Sequence, residues 1–160
     1  MKLRPPHATI LCITLLTIFF DQLSKWYLLF EVGMTSRPPI VVTDFFSLIM
    51  VWNKGISFGI LNHPERSMPW LLIGLALAIS AVLLRMALKT EKRWERIGYA
   101  LVIGGALGNV VDRLRYGAVA DFFYFHIGDL GWPAFNIADA AICVGVVFLL
   151  IMRACTPASP

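Results

Sequence analysis

Two aspartates, Asp121 and Asp139, stand near the boundaries of apolar stretches in this chain of 160 residues. Two carboxylates that lie close together cannot both ionise, so they share one proton and their pKa values separate. One carboxylate then acts as a general base on a water molecule, while the other, protonated, polarises the carbonyl group to be cleaved. The chemistry that such a pair indicates is metal-free hydrolysis of a peptide bond.

Other polar residues interrupt the apolar stretches at helical spacing. A charged side chain inside a membrane span costs about 2.5–3.5 kcal/mol on insertion scales, so each one is a hypothesis of function. Residues three or four positions apart share one face of a helix. By this spacing three helices each present a polar stripe: Asp21 with Lys25, Asn109 with Asp112 and Arg113, and Asn136 with Asp139.

The composition indicates where these helices lie. Hydrophobic residues make up 58% of the chain and charged residues 15%, whereas soluble domains carry about 25% charged residues. A chain of this length cannot bury so much apolar surface in a soluble core, and its low charge and high hydrophobicity exclude a disordered chain. A compact membrane domain remains.

Four windows have the roughly 20 mainly apolar residues that a spanning helix needs, namely residues 9–30, 69–88, 97–114 and 134–153. The sequence therefore predicts an all-α integral membrane protein with four transmembrane helices, in one domain covering residues 1–160. The first window contains Asp21, Gln22 and Lys25 and lacks a small-residue cleavage site, so we expect it to be retained and not removed as a signal peptide.

The distribution of basic residues predicts on which side of the membrane each loop lies. Eight Lys and Arg residues lie at the two termini and around the short loop between the second and third windows, five lie on the opposite side, and Lys25 lies within the first window. The positive-inside rule then places both termini in the cytoplasm and the three polar stripes in the outer half of the membrane. For this reason the net charge of +4 is not taken to indicate nucleic-acid binding.

The outer segment, residues 36–64, is unusually apolar for a loop. Residues 40–42 and 45–52 are rich in β-branched and aromatic residues, which predicts short strands, and Asn53-Lys54-Gly55 predicts a turn. We expect a small extracytoplasmic β-sheet that lies on the membrane surface. In the second outer connection, residues 115–133, the aromatic run at residues 122–125 indicates an interfacial aromatic belt.

Five motifs in order along nearly the whole chain resemble those of the lipoprotein signal peptidases, also called signal peptidase II. They are Asp21-Gln22-x-x-Lys25, Asn53-x-Gly55-x-Ser57-Phe58-Gly59, the run of residues 104–113 that ends in Asn109-x-x-Asp112-Arg113, Val119-Ala120-Asp121-Phe122, and Phe135-Asn136-Ile137-Ala138-Asp139. The resemblance implies a four-span aspartic protease of the bacterial inner membrane that globomycin inhibits. It also implies cleavage of a prolipoprotein just before a cysteine that carries diacylglycerol.

The resemblance further implies roles for individual residues. Asp121 and Asp139 become the catalytic dyad, and the outer segment becomes the sheet that cradles the substrate. The polar residues that shape the site and hold the substrate backbone are Asp21, Asn53, Asn109, Arg113 and Asn136, with Lys25, Gly55 and Asp112 as further site support. We expect no metal and no cofactor, a monomer, and lipid-modified prolipoproteins and membrane lipid as partners.

Other interpretations of the same residues stay open. The aspartates could serve only as helix tethers that pair with Lys25, Arg113 or Arg115, in particular Asp112 with Arg113 and Asp21 with Lys25. Gly55-Ile56-Ser57-Phe58-Gly59 also spells the G-x-S-x-G run of serine hydrolases, with His63 or His126 as base, but the parallel sheet that this motif needs cannot be built here. A proton-coupled transporter and a non-enzymatic assembly partner are the remaining alternatives.

Overall fold

The computed structural model describes residues 6–55, 68–128 and 130–155. Within these residues four helices are long and apolar enough to cross a membrane, which confirms the predicted fold class. Their bounds are α1, Pro6–Trp26; α2, Met68–Lys89; α3, Arg93–Tyr116; and α4, Ile137–Ala154. The first of them continues as a π-helical turn, Tyr27–Glu31.

The first residues of α3 and α4 differ from those that hydropathy predicted, each for a local reason. Helix α3 starts at Arg93, four residues before the apolar window, because the charged residues that precede the window have good helix propensity and extend the helix. Helix α4 starts at Ile137, three residues later than its window. Asn136 has extended backbone geometry there and caps the helix: its side chain accepts a hydrogen bond from the N–H of Asp139.

Helix α3 lies at the centre of the bundle and packs against the other three helices. Glycines on two of its faces make this possible. A side chain at Gly104 would come within 2.7 Å of Cβ of Thr17 on α1, and one at Gly105 would overlap the carbonyl oxygen of Ala138 on α4. These close approaches set the rotation of α3 relative to α1 and α4, and hence the direction in which its polar side chains point.

A four-stranded antiparallel sheet, in the order β1-β2-β3-β4, covers one end of the bundle. Its strands are β1, Ile40–Thr43; β2, Phe46–Asn53; β3, Val119–Ile127; and β4, Leu130–Gly131. The first two strands lie where the sequence predicted them. In the register between β2 and β3, Val51 pairs with Asp121 and Asn53 pairs with Val119, so the end of β2 runs directly alongside Asp121.

The prediction of a simple aromatic belt at residues 122–125 was wrong in part. These residues form the middle of β3, and Phe122 is fully buried in a core cluster with Leu28, Leu29, Met34 and Ala120. This cluster joins the end of α1 to the sheet. Strand β3 escaped prediction because its four consecutive aromatic residues show no alternation of apolar and polar positions.

Part of the predicted outer segment has no structural description. Residues 56–64 of that segment, including Ser57 and His63, lie outside the described residues. On the described part, Val41, Val42 and Phe45 are more than half exposed. That the sheet lies on the membrane surface stays a prediction.

Candidate active site

The two aspartates singled out in the sequence come from different elements and meet at one residue. Asp121 lies on β3 and is only 1% exposed, whereas Asp139 lies in the first turn of α4 and is half-buried. Asn136 donates a hydrogen bond from Nδ2 to Oδ1 of Asp121 over 2.7 Å. Its main-chain N–H donates to Oδ2 of Asp139 over 3.3 Å.

The capping geometry of α4 explains why Asn136 reaches both carboxylates. Its Oδ1 accepts the N–H of Asp139 over 2.9 Å while Asp139 accepts the N–H of Asn136, which is a reciprocal capping box. With Oδ1 committed to the helix, Nδ2 is the atom that points towards β3. The start of α4 therefore fixes the positions of both carboxylates relative to each other.

A second amide holds Asp139 from the central helix. Asn109 donates from Nδ2 to Oδ1 of Asp139 over 2.8 Å. Its Oδ1 accepts a hydrogen bond from Nδ2 of Asn136 over 3.2 Å. Asp139 thus accepts hydrogen bonds on both carboxylate oxygens, from Asn109 and from the main chain of Asn136.

A third amide holds Asp121 from the end of β2. Asn53 donates from Nδ2 to Oδ2 of Asp121 over 3.1 Å. Its Oδ1 accepts the main-chain N–H of Gly55 over 3.2 Å, and this turn orients the amide so that its donor faces the carboxylate. Gly55, expected at the site from its motif, therefore acts on Asp121 through Asn53.

The surroundings of Asp121 favour its protonated form. Burial, followed by the negative charge of Asp139, raises the pKa of Asp121 to about 7, against the hydrogen bonds from Asn53 and Asn136 that stabilise the ionised form. At neutral pH the carboxyl group of Asp121 is therefore a neutral acid in a substantial share of the molecules, beside the second carboxyl group. That is the state expected of a carboxylate pair that activates water.

A cation and a buried ion-pair cluster adjoin the pair. Arg113 is half-buried, and its charge attracts both Asp139 and Asp121. Next to it on α3, Asp112 is fully buried and pairs with Lys25 over 2.7 Å. Lys25 also pairs with Asp21 over 2.8 Å.

These contacts test the two ion pairs that were predicted if the aspartates served as helix tethers. The predicted pairing of Asp112 with Arg113 was wrong: both residues are described, and the ion pair of Asp112 is with Lys25 on α1. Adjacent residues on a helix point about 100° apart, so Asp112 faces α1 while Arg113 faces the carboxylate pair. The predicted pairing of Asp21 with Lys25 is confirmed.

Gln22 belongs to the first of the five motifs, but it was not predicted from the sequence as a site residue. Gln22 donates from Nε2 to Oδ1 of Asp112 over 2.8 Å, to Oδ2 of Asp21 over 3.1 Å and to the carbonyl oxygen of Gly108 over 3.3 Å. A glutamine in an apolar helix, beside an aspartate, was the signal that could have identified it.

Two other chemistries gain no support from the described residues. His126 lies further along β3 than Asp121, where it stacks on Tyr124 and forms a hydrogen bond with Ser47. In residues 6–55, 68–128 and 130–155, no group of three or more His, Cys, Asp or Glu side chains is placed to hold a metal ion.

The chain is similar to known proteins over most of its length. A family model described as signal peptidase (SPase) II matches residues 13–155. The lipoprotein signal peptidase of Azoarcus sp. (strain BH72) is 48% identical over 133 residues, 81% of this chain and 73% of that protein. The lipoprotein signal peptidase of Burkholderia ambifaria (strain MC40-6) is 44% identical over 142 residues, 86% of this chain and 82% of that protein.

The fold has a counterpart among solved structures. A bacterial membrane enzyme determined by the in meso method superposes with a TM-score of 0.77 and 26% identity, over 92% of this chain and 88% of that chain. The family model covers the segments that carry the carboxylate pair, its three amide partners and the buried cluster. The chain therefore belongs to the signal peptidase II family.

Proposed function

We propose that this chain is a membrane aspartic endopeptidase that removes the signal peptide from diacylglyceryl-modified prolipoproteins. It cuts just before the lipid-modified cysteine, and Asp121 and Asp139 form its catalytic dyad. Family membership supports a protease that removes signal peptides from lipoproteins. The observation that carries the aspartic mechanism is that Asn136 donates hydrogen bonds to both carboxylates.

The mechanism follows from the shared proton. The ionised member of the dyad takes a proton from a water molecule as the water oxygen attacks the carbonyl carbon of the scissile bond. The protonated member donates its proton to the carbonyl oxygen, which gives a neutral tetrahedral intermediate. The carboxyl group that took the proton from water then gives it to the leaving nitrogen, while the other carboxylate takes a proton from a hydroxyl group of the intermediate. The C–N bond breaks, the product carboxyl group forms, and the dyad remains singly protonated.

The neighbouring polar groups make this step possible at a partly buried site. Asn109 and Asn136 fix the carboxylates by hydrogen bonds that are already in place before the substrate arrives. The cation of Arg113 stabilises the negative charge that the dyad carries. Asn53, at the end of β2, links the dyad to the sheet along which an extended substrate segment lies.

The surface of the bundle suits a substrate that is itself dissolved in lipid. Large apolar side chains are exposed along α1, α2 and α4, among them Leu15, Phe19, Leu71 and Val147. A signal peptide and a diacylglyceryl chain both reach the site laterally through the membrane. The dyad lies at the end of the bundle that the sheet covers, where water is also available.

Cleavage of a defined substrate by the purified chain tests this function. The substrate is a prolipoprotein peptide whose cysteine carries diacylglycerol, and the control is the same peptide with an unmodified cysteine. We expect mass spectrometry to show one cut immediately before the modified cysteine, unaffected by a chelator and abolished by globomycin. Absence of cleavage, or a cut at another bond, contradicts the proposal.

The orientation is part of the same proposal. The excess of basic residues around residues 85–96 supports cytoplasmic termini and a dyad near the outer face of the bacterial inner membrane. In this proposal the chain acts as a monomer. Alkaline phosphatase fused after residue 160 is expected to be inactive, and the same reporter inserted after Lys54 to be active. The reverse pattern contradicts this orientation.

A further inference from the structure

A buried cluster of three charges lies beside the dyad. Asp21, Lys25 and Asp112, here termed the Lys25 cluster, are each at most 2% exposed. Nζ of Lys25 lies 2.8 Å from Oδ2 of Asp21 and 2.7 Å from Oδ2 of Asp112. One ammonium group therefore compensates two carboxylates that have almost no access to solvent.

Each carboxylate of the cluster holds the main chain immediately before one member of the dyad. Oδ2 of Asp112 accepts the N–H of Ala120 over 3.2 Å, and Ala120 precedes Asp121. Oδ1 of Asp21 accepts the N–H of Ala138 over 3.0 Å, and Ala138 precedes Asp139. Since a fixed peptide plane restricts where the next residue can point, the cluster constrains β3 and α4 at the two positions that matter most.

Lys25 also fixes the amide that binds Asp139. Its Nζ donates to Oδ1 of Asn109 over 3.3 Å, and Nδ2 of Asn136 donates to the same oxygen. A flipped Asn109 amide would place its NH₂ group against both donors. Nδ2 of Asn109 is thereby directed to Oδ1 of Asp139, 2.8 Å away.

We infer that Lys25 is a positioning residue of the active site. Through Asp21, Asp112 and Asn109 it sets the separation and orientation of Asp121 and Asp139. This inference rests on the proposed function, because it assigns Lys25 to the geometry of the dyad. A helix tether needs only the ion pair between α1 and α3, whereas this cluster also reaches β3 and α4 through their main-chain N–H groups.

Paired substitutions on α1 separate positioning from tethering. Lys25→Met removes the cation and keeps the length of the side chain. Thr14→Val is the matched control, because Thr14 is also buried on α1 and its hydroxyl donates to the carbonyl oxygen of Ala100 on α3 over 3.3 Å, away from the dyad and the Lys25 cluster. For each variant, kcat and KM on the modified prolipoprotein peptide are measured on protein that elutes as one species in detergent.

The expected result is a loss in kcat of about ten- to a hundred-fold for Lys25→Met, with KM within about three-fold of wild type. Thr14→Val is expected to lower the unfolding temperature and leave kcat within about two-fold. A folded Lys25→Met protein with the kcat of wild type overturns the inference and makes Lys25 a tether.

A second variant covers the case in which Lys25→Met does not fold. The double substitution Asp21→Asn with Lys25→Met removes one buried negative charge together with the cation, and the carbonyl oxygen of the introduced amide can still accept the N–H of Ala138. We expect this protein to fold and to remain at least about ten-fold slow, and wild-type kcat in it would overturn the inference. Cleavage by the wild type in the same assay tests the proposed function separately.

Discussion

Asn136 donates a hydrogen bond from its side-chain amide to the carboxylate of Asp121 over 2.7 Å. The same residue caps α4, so the residue that starts the helix also joins it to β3. Asp139 lies one turn further on and accepts the main-chain N–H of Asn136. The geometry of the dyad is therefore a consequence of how one helix begins.

Substitutions at Asn136 separate its two roles. Asn136→Ser keeps an oxygen that can accept the N–H of Asp139, whereas Asn136→Ala removes the cap and costs about 1 kcal/mol more in the free energy of unfolding. Both remove the amide donor to Asp121, so both are expected to lower kcat by about ten-fold or more. Thermal unfolding and kcat of the two purified variants check this. An Asn136→Ser protein with wild-type kcat would show that the amide donor is dispensable.

The pKa of Asp121 predicts how the rate depends on pH. Burial and the neighbouring charge of Asp139 raise this pKa to about 7. Above that pH the shared proton is lost and the protonated member of the dyad disappears, so kcat/KM is expected to fall as pH rises through about 7. This fall in rate is measured as a profile of kcat/KM from pH 5 to 9, which is roughly the range in which such a pair titrates. The substrate is a peptide without titrating groups near the scissile bond. A rate that rises to a plateau at alkaline pH contradicts it.

The same pKa has a consequence for stability. Because the folded-state pKa of Asp121 is raised, its protonation stabilises the folded state fully below about pH 4, and this contribution is lost as pH rises through about 7. The free energy of unfolding is expected to decrease over that range by the order of 1–4 kcal/mol. Unfolding of wild type and Asp121→Asn in detergent at several pH values measures it. An equally steep decrease in Asp121→Asn would assign the effect to other groups.

Two glycines provide a matched test of helix packing. A methyl group at Gly105 would overlap the carbonyl oxygen of Ala138, next to Asp139, whereas one at Gly74 on α2 would meet no atom within 4 Å. Gly105→Ala is expected to destabilise the protein by about 1–3 kcal/mol and to lower kcat, because α4 must shift. Gly74→Ala should stay within about 1 kcal/mol of wild type. Equal unfolding temperatures for the two variants would contradict the close contact.

Much of the fold and of the site was accessible from the sequence. Four apolar windows predicted the four helices, and helical spacing predicted that the polar residues of each helix share a face. The motif residues Asn53, Asn109, Asn136, Asp121 and Asp139 do meet in one network. These features are local in sequence or carried by the family resemblance, so no knowledge of how the helices pack was needed.

Contacts that depend on packing between helices could not be predicted. Asp112 was expected to pair with its neighbour Arg113, but the rotation of α3 turns it towards Lys25 on α1. That rotation depends on the close contact at Gly104 with Thr17, which a single sequence does not reveal. The main-chain contacts of Asp21 and Asp112 were equally inaccessible, because a side chain that binds a distant N–H leaves no pattern in the sequence.

Turnover by Asp121→Asn and Asp139→Asn tests the central claim most directly. Each variant is purified alongside wild type, checked for the wild-type unfolding profile, and assayed on the diacylglyceryl-modified prolipoprotein peptide with a chelator present. The account predicts that both variants fold and that each loses turnover by at least about a thousand-fold. In each variant an amide replaces one carboxyl group, so a carboxylate base can no longer act together with a carboxylic acid. A folded variant that cleaves at the wild-type rate would contradict the assignment of Asp121 and Asp139 as the catalytic dyad.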